Sequence, residues 1–234
     1  MKKAKILAET FGDITGDGIY DKIVLIGNYI DEDKSTAFEN LQLLITDGNS
    51  KKIYSVPISN IVGYTPTLYL FPFRNPKISD IFISIPSGGS GGFNYNYIFG
   101  YKDNKFVKLF DNKQFEKMFN YKVEYIDEYQ VQIINEKLQK KFLINITYKD
   151  QEYLDDIYHD DGNLKKAIFG NVLGLNQVFP IDVDNNGVFE LLTMQRVVGL
   201  YNADLLGYLE TVLAWKDNKF DIFHENQYLA QISF

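Results

Sequence analysis

Two nine-residue segments of the sequence carry oxygen-bearing side chains at alternate positions, a spacing that suits calcium. They cover Asp13–Asp21 and Asp182–Glu190. Calcium takes roughly six to eight hard oxygen ligands at about 2.3–2.6 Å, and a tight loop can supply them from alternate residues. Gly18 and Gly187 hold the same position in the two segments, where they permit a sharp turn around an ion. The segments therefore predict two calcium loops.

The expected ligands fall at equivalent positions in the two loops. In the first loop they are the side chains of Asp13, Thr15, Asp17 and Asp21 and the backbone carbonyl of Ile19. In the second loop they are the side chains of Asp182, Asp184, Asn186 and Glu190 and the backbone carbonyl of Val188. Water would complete each shell. The alternative is a pair of Asx turns without metal, since Asp, Asn and Gly are common turn residues.

Neither loop is an EF-hand, because that motif needs a glutamate at its twelfth position. Val24 and Thr193 stand there instead. A third segment, Pro72–Asp80, occupies the equivalent place before another predicted strand and keeps only its last acid. Its remaining ligand positions and its glycine position are replaced by Pro72, Arg74, Pro76 and Lys77. We therefore expect no metal in this third segment.

Short apolar runs bounded by turn residues predict that strands position these loops. The chain is 45% hydrophobic and 15% aromatic, and aromatic residues favour strands. The runs that we interpret as strands are Ile23–Ile26, Leu41–Ile45, Ile81–Ile85, Val131–Ile134, Phe142–Ile146 and Leu191–Met194. Only Lys113–Asn120 and Leu164–Phe169 are predicted to be helical. Many short strands with few helices indicate an all-β fold.

Internal repeats favour a propeller-like arrangement of the strands. Lys102–Phe106 and Lys216–Phe220 share the sequence Lys-Asp-Asn-Lys-Phe, in which Asp-Asn predicts a tight hairpin turn. Each follows an acidic segment at a similar distance, which suggests one unit of strand, loop, two strands, turn and strand. A fourth unit is expected at residues 119–150. About four four-stranded units in a single domain, residues 1–234, would form a β-propeller-like fold, with an irregular β-sandwich as the main alternative.

Composition excludes several classes of function. The net charge of −7 argues against nucleic-acid binding, because no excess of Lys or Arg is available to neutralise phosphates. The absence of cysteine excludes disulfides, zinc–thiolate sites and cysteine nucleophiles. No apolar run is long enough to span a membrane. Met1–Lys3 begins like a signal peptide, but Ala4–Thr10 lacks an apolar core, so we expect no signal peptide.

Two other segments have residue types that suit chemistry. Asp155–Asp161 places four carboxylates around His159, and a glycan-acting hydrolase using Asp155, Asp156 or Asp160 is the alternative function. A solvated acidic loop is the simpler interpretation. The glycine-rich Ser87–Gly92 resembles a phosphate loop, but a strand-like segment follows it where a helix would be needed. We interpret it as a connection between strands.

The first loop, with the preceding Phe11-Gly12, and the second loop resemble FG-GAP/VCBS-type repeats. The whole chain, including Ser87–Gly92 and Tyr201–Asp204, is similar to small VCBS-repeat proteins of spore-forming Gram-positive bacteria. This resemblance implies Ca²⁺ bound between propeller strands, an extracellular or cell-surface setting, and no catalytic activity. We therefore expect a non-catalytic calcium-binding β-repeat scaffold that interacts with a protein or carbohydrate partner.

Overall fold

The structure of the protein is a computed structural model that describes residues 4–31, 35–58, 60–89 and 91–231. Met1–Lys3, on which the signal-peptide argument begins, lie outside the described residues, as does Ser90 of the glycine-rich segment.

The described residues form sixteen strands and two short helices. The strands are β1 Lys5–Gly12, β2 Asp21–Tyr29, β3 Ala37–Thr46, β4 Ile53–Pro57, β5 Gly63–Tyr64, β6 Thr67–Asn75, β7 Ile78–Pro86, β8 Asn94–Lys102, β9 Lys105–Asp111, β10 Tyr121–Ile126, β11 Gln130–Asn135, β12 Lys140–Asn145, β13 Asn171–Ile181, β14 Glu190–Val198, β15 Leu205–Lys216 and β16 Lys219–Gln231. The helices are α1 Asn112–Glu116 and α2 Gln151–Ile157.

The strands form four separate antiparallel sheets, which confirms the all-β prediction. Sheet I has the order β1-β2-β3-β4, with β5 paired to β3, and sheet II has the order β6-β7-β8-β9. Sheet III contains β10-β11-β12, and sheet IV has the order β13-β14-β15-β16. Consecutive strands are neighbours because each hairpin connection is short. The unit expected at residues 119–150 corresponds to sheet III, but this sheet has three strands instead of four.

Three apolar clusters join the sheets in series. Sheet II packs one face on sheet I through residues such as Ile81 and Leu25, and its other face on sheet IV through Phe82 and Leu213. Sheet IV also packs on sheet III, where Leu209 is buried. No apolar cluster among the described residues joins sheet I to sheet III. The sheets therefore do not form the closed ring of a propeller.

The two hairpin turns predicted from Asp-Asn are present. Asp103 and Asn104 have φ values of 51° and 61°, and Asp217 and Asn218 have values of 51° and 63°. Positive φ at both central residues gives the turn a twist that matches its flanking strands. The turns connect β8 to β9 and β15 to β16.

The helices agree only in part with the sequence prediction. The helix expected at Lys113–Asn120 is the shorter α1, which begins after the N-cap Asp111. The helix expected at Leu164–Phe169 is wrong, because this segment is irregular and forms single bridges to Tyr158 and Glu124. The segment α2 was not predicted as a helix. Neither described helix is long and apolar enough to cross a membrane.

A buried ion pair fastens the connection between β14 and β15 to sheet III. Asp204 is 3% exposed and accepts hydrogen bonds from Lys149 Nζ at 2.7 Å and Tyr153 Oη at 2.6 Å. The backbone N–H of Leu200 donates to the same carboxylate. Tyr153 also contacts the hydroxyl of Tyr125 at 2.6 Å. One carboxylate therefore satisfies a cation, a phenol and a backbone amide.

Replacing this carboxylate is expected to be strongly destabilising. Asp204→Ala should lower the free energy of unfolding by about 3–5 kcal/mol, because it leaves Lys149 and Tyr153 without their partner in a buried site. Urea denaturation followed by circular dichroism measures the loss. Asp155→Ala, at an exposed acid of α2, is the matched control and should change stability little. Equal losses in the two variants would contradict this role.

Candidate metal centre

The two acidic loops fold alike. Gly16 and Asn185 hold equivalent positions and have φ values of 83° and 56°, and Gly18 and Gly187 have values of 83° and 80°. Residues with positive φ are glycine or asparagine because their steric cost is lowest there. The first loop connects β1 to β2 and the second connects β13 to β14. Similar composition thus gives similar backbone.

The first aspartate of each loop holds the turn together. Asp13 accepts hydrogen bonds from the backbone N–H groups of Gly16 at 2.7 Å and Gly18 at 2.9 Å. Asp182 accepts from Asn186 at 3.1 Å and Gly187 at 3.0 Å. These bonds are the Asx-turn contacts that the metal-free alternative requires. They do not by themselves favour a cation.

The two loops and the third segment, Pro72–Asp80, lie side by side at one end of the molecule. The backbone N–H of Ser79 donates to the carbonyl of Asp13 at 3.1 Å, and the N–H of Phe189 donates to the carbonyl of Pro72 at 2.8 Å. The third segment therefore lies between the two loops. Each of the three places its last acid at or near the start of a central strand.

These last acids are all buried: Asp21 is 0%, Asp80 0% and Glu190 3% exposed. A buried carboxylate needs hydrogen bonds or a cation to stay ionised. Asp21 obtains three backbone donors, from Ile14 at 3.0 Å, Thr15 at 3.1 Å and Gly48 at 2.9 Å. The first loop therefore satisfies its buried carboxylate with its own backbone and with the Gly48 turn.

Asp80 obtains a cation from the protein itself. Arg74 donates from Nε at 2.9 Å and from Nη2 at 2.7 Å to the same carboxylate oxygen. Burial raises the pKa of Asp80, and the hydrogen bonds and charge of Arg74 oppose that rise. Arg74 occupies the position held by Thr15 and Asp184 in the two loops. The expectation of no metal in this segment thus has a direct structural reason.

Glu190 has neither arrangement. It accepts one backbone hydrogen bond, from Val183 at 3.0 Å. Its carboxylate, with those of Asp182 and Asp184, offers ligand oxygens that all lie within 4.8 Å of one another. No lysine or arginine within the described ranges forms an ion pair with these three groups. Burial raises the pKa of Glu190, and the neighbouring charges of Asp184 and Asp182 raise it further.

The other predicted ligands are placed less favourably. Asn186 lies in the second loop, but its Oδ1 accepts from the N–H of Val188 and its Nδ2 donates to Asp184. In the first loop Asp17 accepts from the N–H of Ile19 at 2.9 Å. Asp13, Asp17 and Asp21, all among the described residues, do not form an acidic group as compact as that in the second loop. The ligand set of the first loop therefore stays a prediction.

One atom of the first loop still favours a ligand there. The hydroxyl of Thr15, at the position equivalent to Asp184, is buried and has no hydrogen-bond partner among the described residues. A buried hydroxyl without a partner costs about 1–3 kcal/mol, so water or an ion commonly occupies such a place.

The acidic cluster proposed for the hydrolase alternative is spread over a surface. Asp155, Asp156 and Asp160 are exposed, and Asp155 accepts from Gln151 on the outside of α2. Asp161 accepts from the backbone and side chain of Asn163, and these hydrogen bonds lower its pKa. Local turn contacts thus explain this segment.

Sequence reasoning missed how the three segments divide the work of neutralising a buried acid. The signal was present, because Thr15, Arg74 and Asp184 align at one position. Only the structure shows that this position faces the last acid of each segment.

Fold and site together define an all-β protein with an acidic loop at one end of four antiparallel sheets. Residues 119–229 match the family model described as the YybI C-terminal domain. The chain is also 38% identical over 215 residues to "Uncharacterized protein YybI" of Bacillus subtilis strain 168, covering 92% of this chain and 81% of the relative. The chain therefore belongs to the YybI family. No solved structure matches it.

This membership corrects the resemblance to FG-GAP/VCBS-type repeats, which was wrong. The matches are to YybI, and neither is to an FG-GAP or VCBS family. The physical reason is that a nine-residue Asp/Asn/Gly loop before a strand satisfies the general requirements of a tight turn. Such a short pattern does not identify a family.

Proposed function

We propose that this protein is a non-catalytic calcium-binding β-sheet scaffold. A divalent cation held by Asp182, Asp184 and Glu190 would fix the loop between β13 and β14, and with it a surface for a protein or glycan partner. The observation that carries the proposal is the comparison of three equivalent acids. Asp21 has backbone donors and Asp80 has Arg74, whereas Glu190 has two further carboxylates beside it.

The donor set favours calcium over other metals. All three side chains offer carboxylate oxygens, and neither histidine nor cysteine belongs to the group. Hard oxygen ligands suit calcium or magnesium, whereas zinc and copper favour nitrogen and sulfur. Asp184 is exposed, so water has access to complete the irregular shell that calcium accepts. The binding of two calcium ions, one in each loop, has weaker support, because Asp21 is already satisfied by backbone donors.

We also propose that the four sheets are copies of one strand–loop–strand–strand–turn–strand unit in an open, propeller-like series. The shared backbone of the two loops and the paired Asp-Asn turns support this interpretation. In such a series the acidic loops lie at corresponding ends of their sheets. A cation there would act between neighbouring sheets through the contact of Phe189 with Pro72.

Calcium is expected to raise the melting temperature of the protein. A ligand that binds only the folded state at about one hundred times its dissociation constant adds about 2.7 kcal/mol. For a chain of this size that gain corresponds to about 5–10 °C. Differential scanning calorimetry in calcium and in chelator measures it. Identical melting curves in the two conditions would sink the proposal.

The variant Asp184→Arg provides a sharper form of the same test. It would place a guanidinium beside Glu190, as Arg74 is placed beside Asp80. We expect it to melt at a higher temperature than the wild type in chelator and to lose the response to calcium. Asp17→Arg, at an exposed position of the first loop, is the control and should keep that response. The opposite pattern would move the cation to the first loop.

A further inference from the structure

A groove of about 400 Å³ lies between sheet II and the edge strand β13 of sheet IV. One wall is formed by β6, β7 and β8, and the other by residues 177–180 of β13. The pairing of β13 with β14 is irregular between Leu175 and Gln177, and such bulges redirect the side chains that follow. The groove ends immediately before the second acidic loop, since Pro180 precedes Asp182 by two residues.

Aromatic side chains line both walls of the groove and leave much of their surface exposed. Tyr69 of β6 is 53% exposed and Phe179 of β13 is 44% exposed. Phe71 lies beneath Tyr69, with ring centroids 6.2 Å apart, and also contacts Phe189 of the acidic loop at 5.0 Å. These contacts hold the aromatic platform in place. Flat apolar faces with fixed positions suit a ligand that has an apolar face of its own.

The polar side chains of the groove are all neutral. They are Thr67, Ser84, Asn94 and Gln177, and no Lys, Arg, His, Asp or Glu lines this groove. The amide of Asn94 donates to the hydroxyl of Ser84 at 3.2 Å, which orients both groups. Gln177 has no hydrogen-bond partner within the part of the chain that the structure describes. The lining thus offers amides and hydroxyls without a charge for a phosphate, a carboxylate or a cation.

A buried acceptor beside the groove lacks a partner. Asn96 pairs in register with Ser84 and is 0% exposed, and its Oδ1 has no hydrogen-bond partner among the described residues. Asn96 and Asn94 lie on the same face of β8, because side chains alternate along a strand. A donor that enters from the groove side, carried by water or by a ligand hydroxyl, would satisfy this atom.

From this lining we infer that the groove binds a neutral pyranose sugar, with the ring stacked on Tyr69 and Phe179 and its hydroxyls bonded to the amides of Asn94 and Gln177. The inference names the glycan partner of the proposed interaction role and rests on that role, but it does not need the cation. Its volume falls within the range of about 300–1,000 Å³ that small-molecule sites occupy.

A peptide strand fits this groove less well. Strand addition needs backbone N–H donors along the edge that receives it. Pro72 in β6 and Pro180 in β13 remove donors from the two strands that border the groove. Single sugar rings do not need such a row of backbone groups. The chemistry of the lining therefore favours a glycan over an extended chain.

Isothermal titration of the full chain with soluble neutral oligosaccharides of glucose, mannose and N-acetylglucosamine tests the inference. We expect at least one series to bind, and Tyr69→Ala and Phe179→Ala each to weaken binding about tenfold. Tyr228→Ala is the matched control, because Tyr228 on β16 is also 53% exposed and lies outside the groove. Melting curves of each variant verify that it is folded.

Titrations in calcium and in chelator separate this inference from the proposed cation site. Sugar binding that depends on Tyr69 supports the groove whether or not calcium changes it. Absence of binding by every oligosaccharide, while calcium still raises the melting temperature, overturns the groove inference alone. Sugar binding unaffected by both groove variants, or binding of an unstructured apolar peptide at Tyr69 instead, also overturns it.

Discussion

Arg74→Met is expected to lower the free energy of unfolding by about 3–5 kcal/mol, because it leaves the charge of Asp80 buried without a partner. The side chain of Asp80 is 0% exposed and that of Arg74 is 18% exposed. Arg74 also donates to the backbone carbonyl of Tyr101 at 3.2 Å, so its loss breaks a link between β6 and β8. Urea denaturation at neutral pH measures the change.

Two further variants separate this effect from the loss of any surface charge. Lys219→Met removes the cation of an exposed pair with Asp221, and it should change stability little because exposed ion pairs contribute little. The double variant Arg74→Met/Asp80→Leu should recover much of the loss, because replacing both partners of a buried pair by apolar residues is often tolerated. If Arg74→Met were as mild as Lys219→Met, the pair would not have the importance described here.

The second large effect distinguishes Asp21 from Glu190, the equivalent acids of the two loops. Asp21→Ala should cost about 3 kcal/mol or more, with or without calcium, because it leaves three buried backbone N–H groups without an acceptor. Glu190→Gln should leave stability unchanged or higher in chelator, because it removes a charge that two neighbouring carboxylates repel. The same substitution should eliminate the stabilisation by calcium.

Melting curves of both variants in calcium and in chelator measure this contrast. Glu190→Gln retains an oxygen that can accept from Val183, so it serves as a conservative test of charge. A loss of stability in chelator as large as that of Asp21→Ala would show that Glu190 is a structural acid satisfied by the protein alone.

The strands could be predicted from the sequence because their apolar runs are short and local. Ile81–Ile85, for example, lies within β7 and has four fully buried residues at its centre or ends. The helix α2 was missed because Gln-Glu-Tyr-Leu-Asp-Asp-Ile buries only Leu154 and Ile157, too few for a visible period. Its N-cap, Asp150, accepts from Tyr153 and was the available signal.

The order of the sheets could not be predicted, because it depends on contacts between residues far apart in the chain. Phe73 meets Phe220, for example, with ring centroids 5.7 Å apart. Repeated units led to the expectation of a closed propeller, whereas the apolar faces pack in series. The groove was unpredictable for the same reason, since Tyr69 and Phe179 come from different sheets.

The acidic loops were the most predictable part of the site, because their side chains and turns are local in sequence. Spacing alone placed Asp182, Asp184 and Glu190 in one loop, and the structure brings their carboxylates together. Spacing did not show that the first loop uses its buried acid differently. That difference arises from the N–H of Gly48, which lies 27 residues from Asp21 in the chain.

Calorimetric titration of the metal-free protein with calcium tests the central claim most directly. We expect one calcium ion per chain, with binding lost in Glu190→Gln and kept in Asp17→Asn. Absence of binding, or binding that survives Glu190→Gln unchanged, would contradict the assignment of a cation to the second loop.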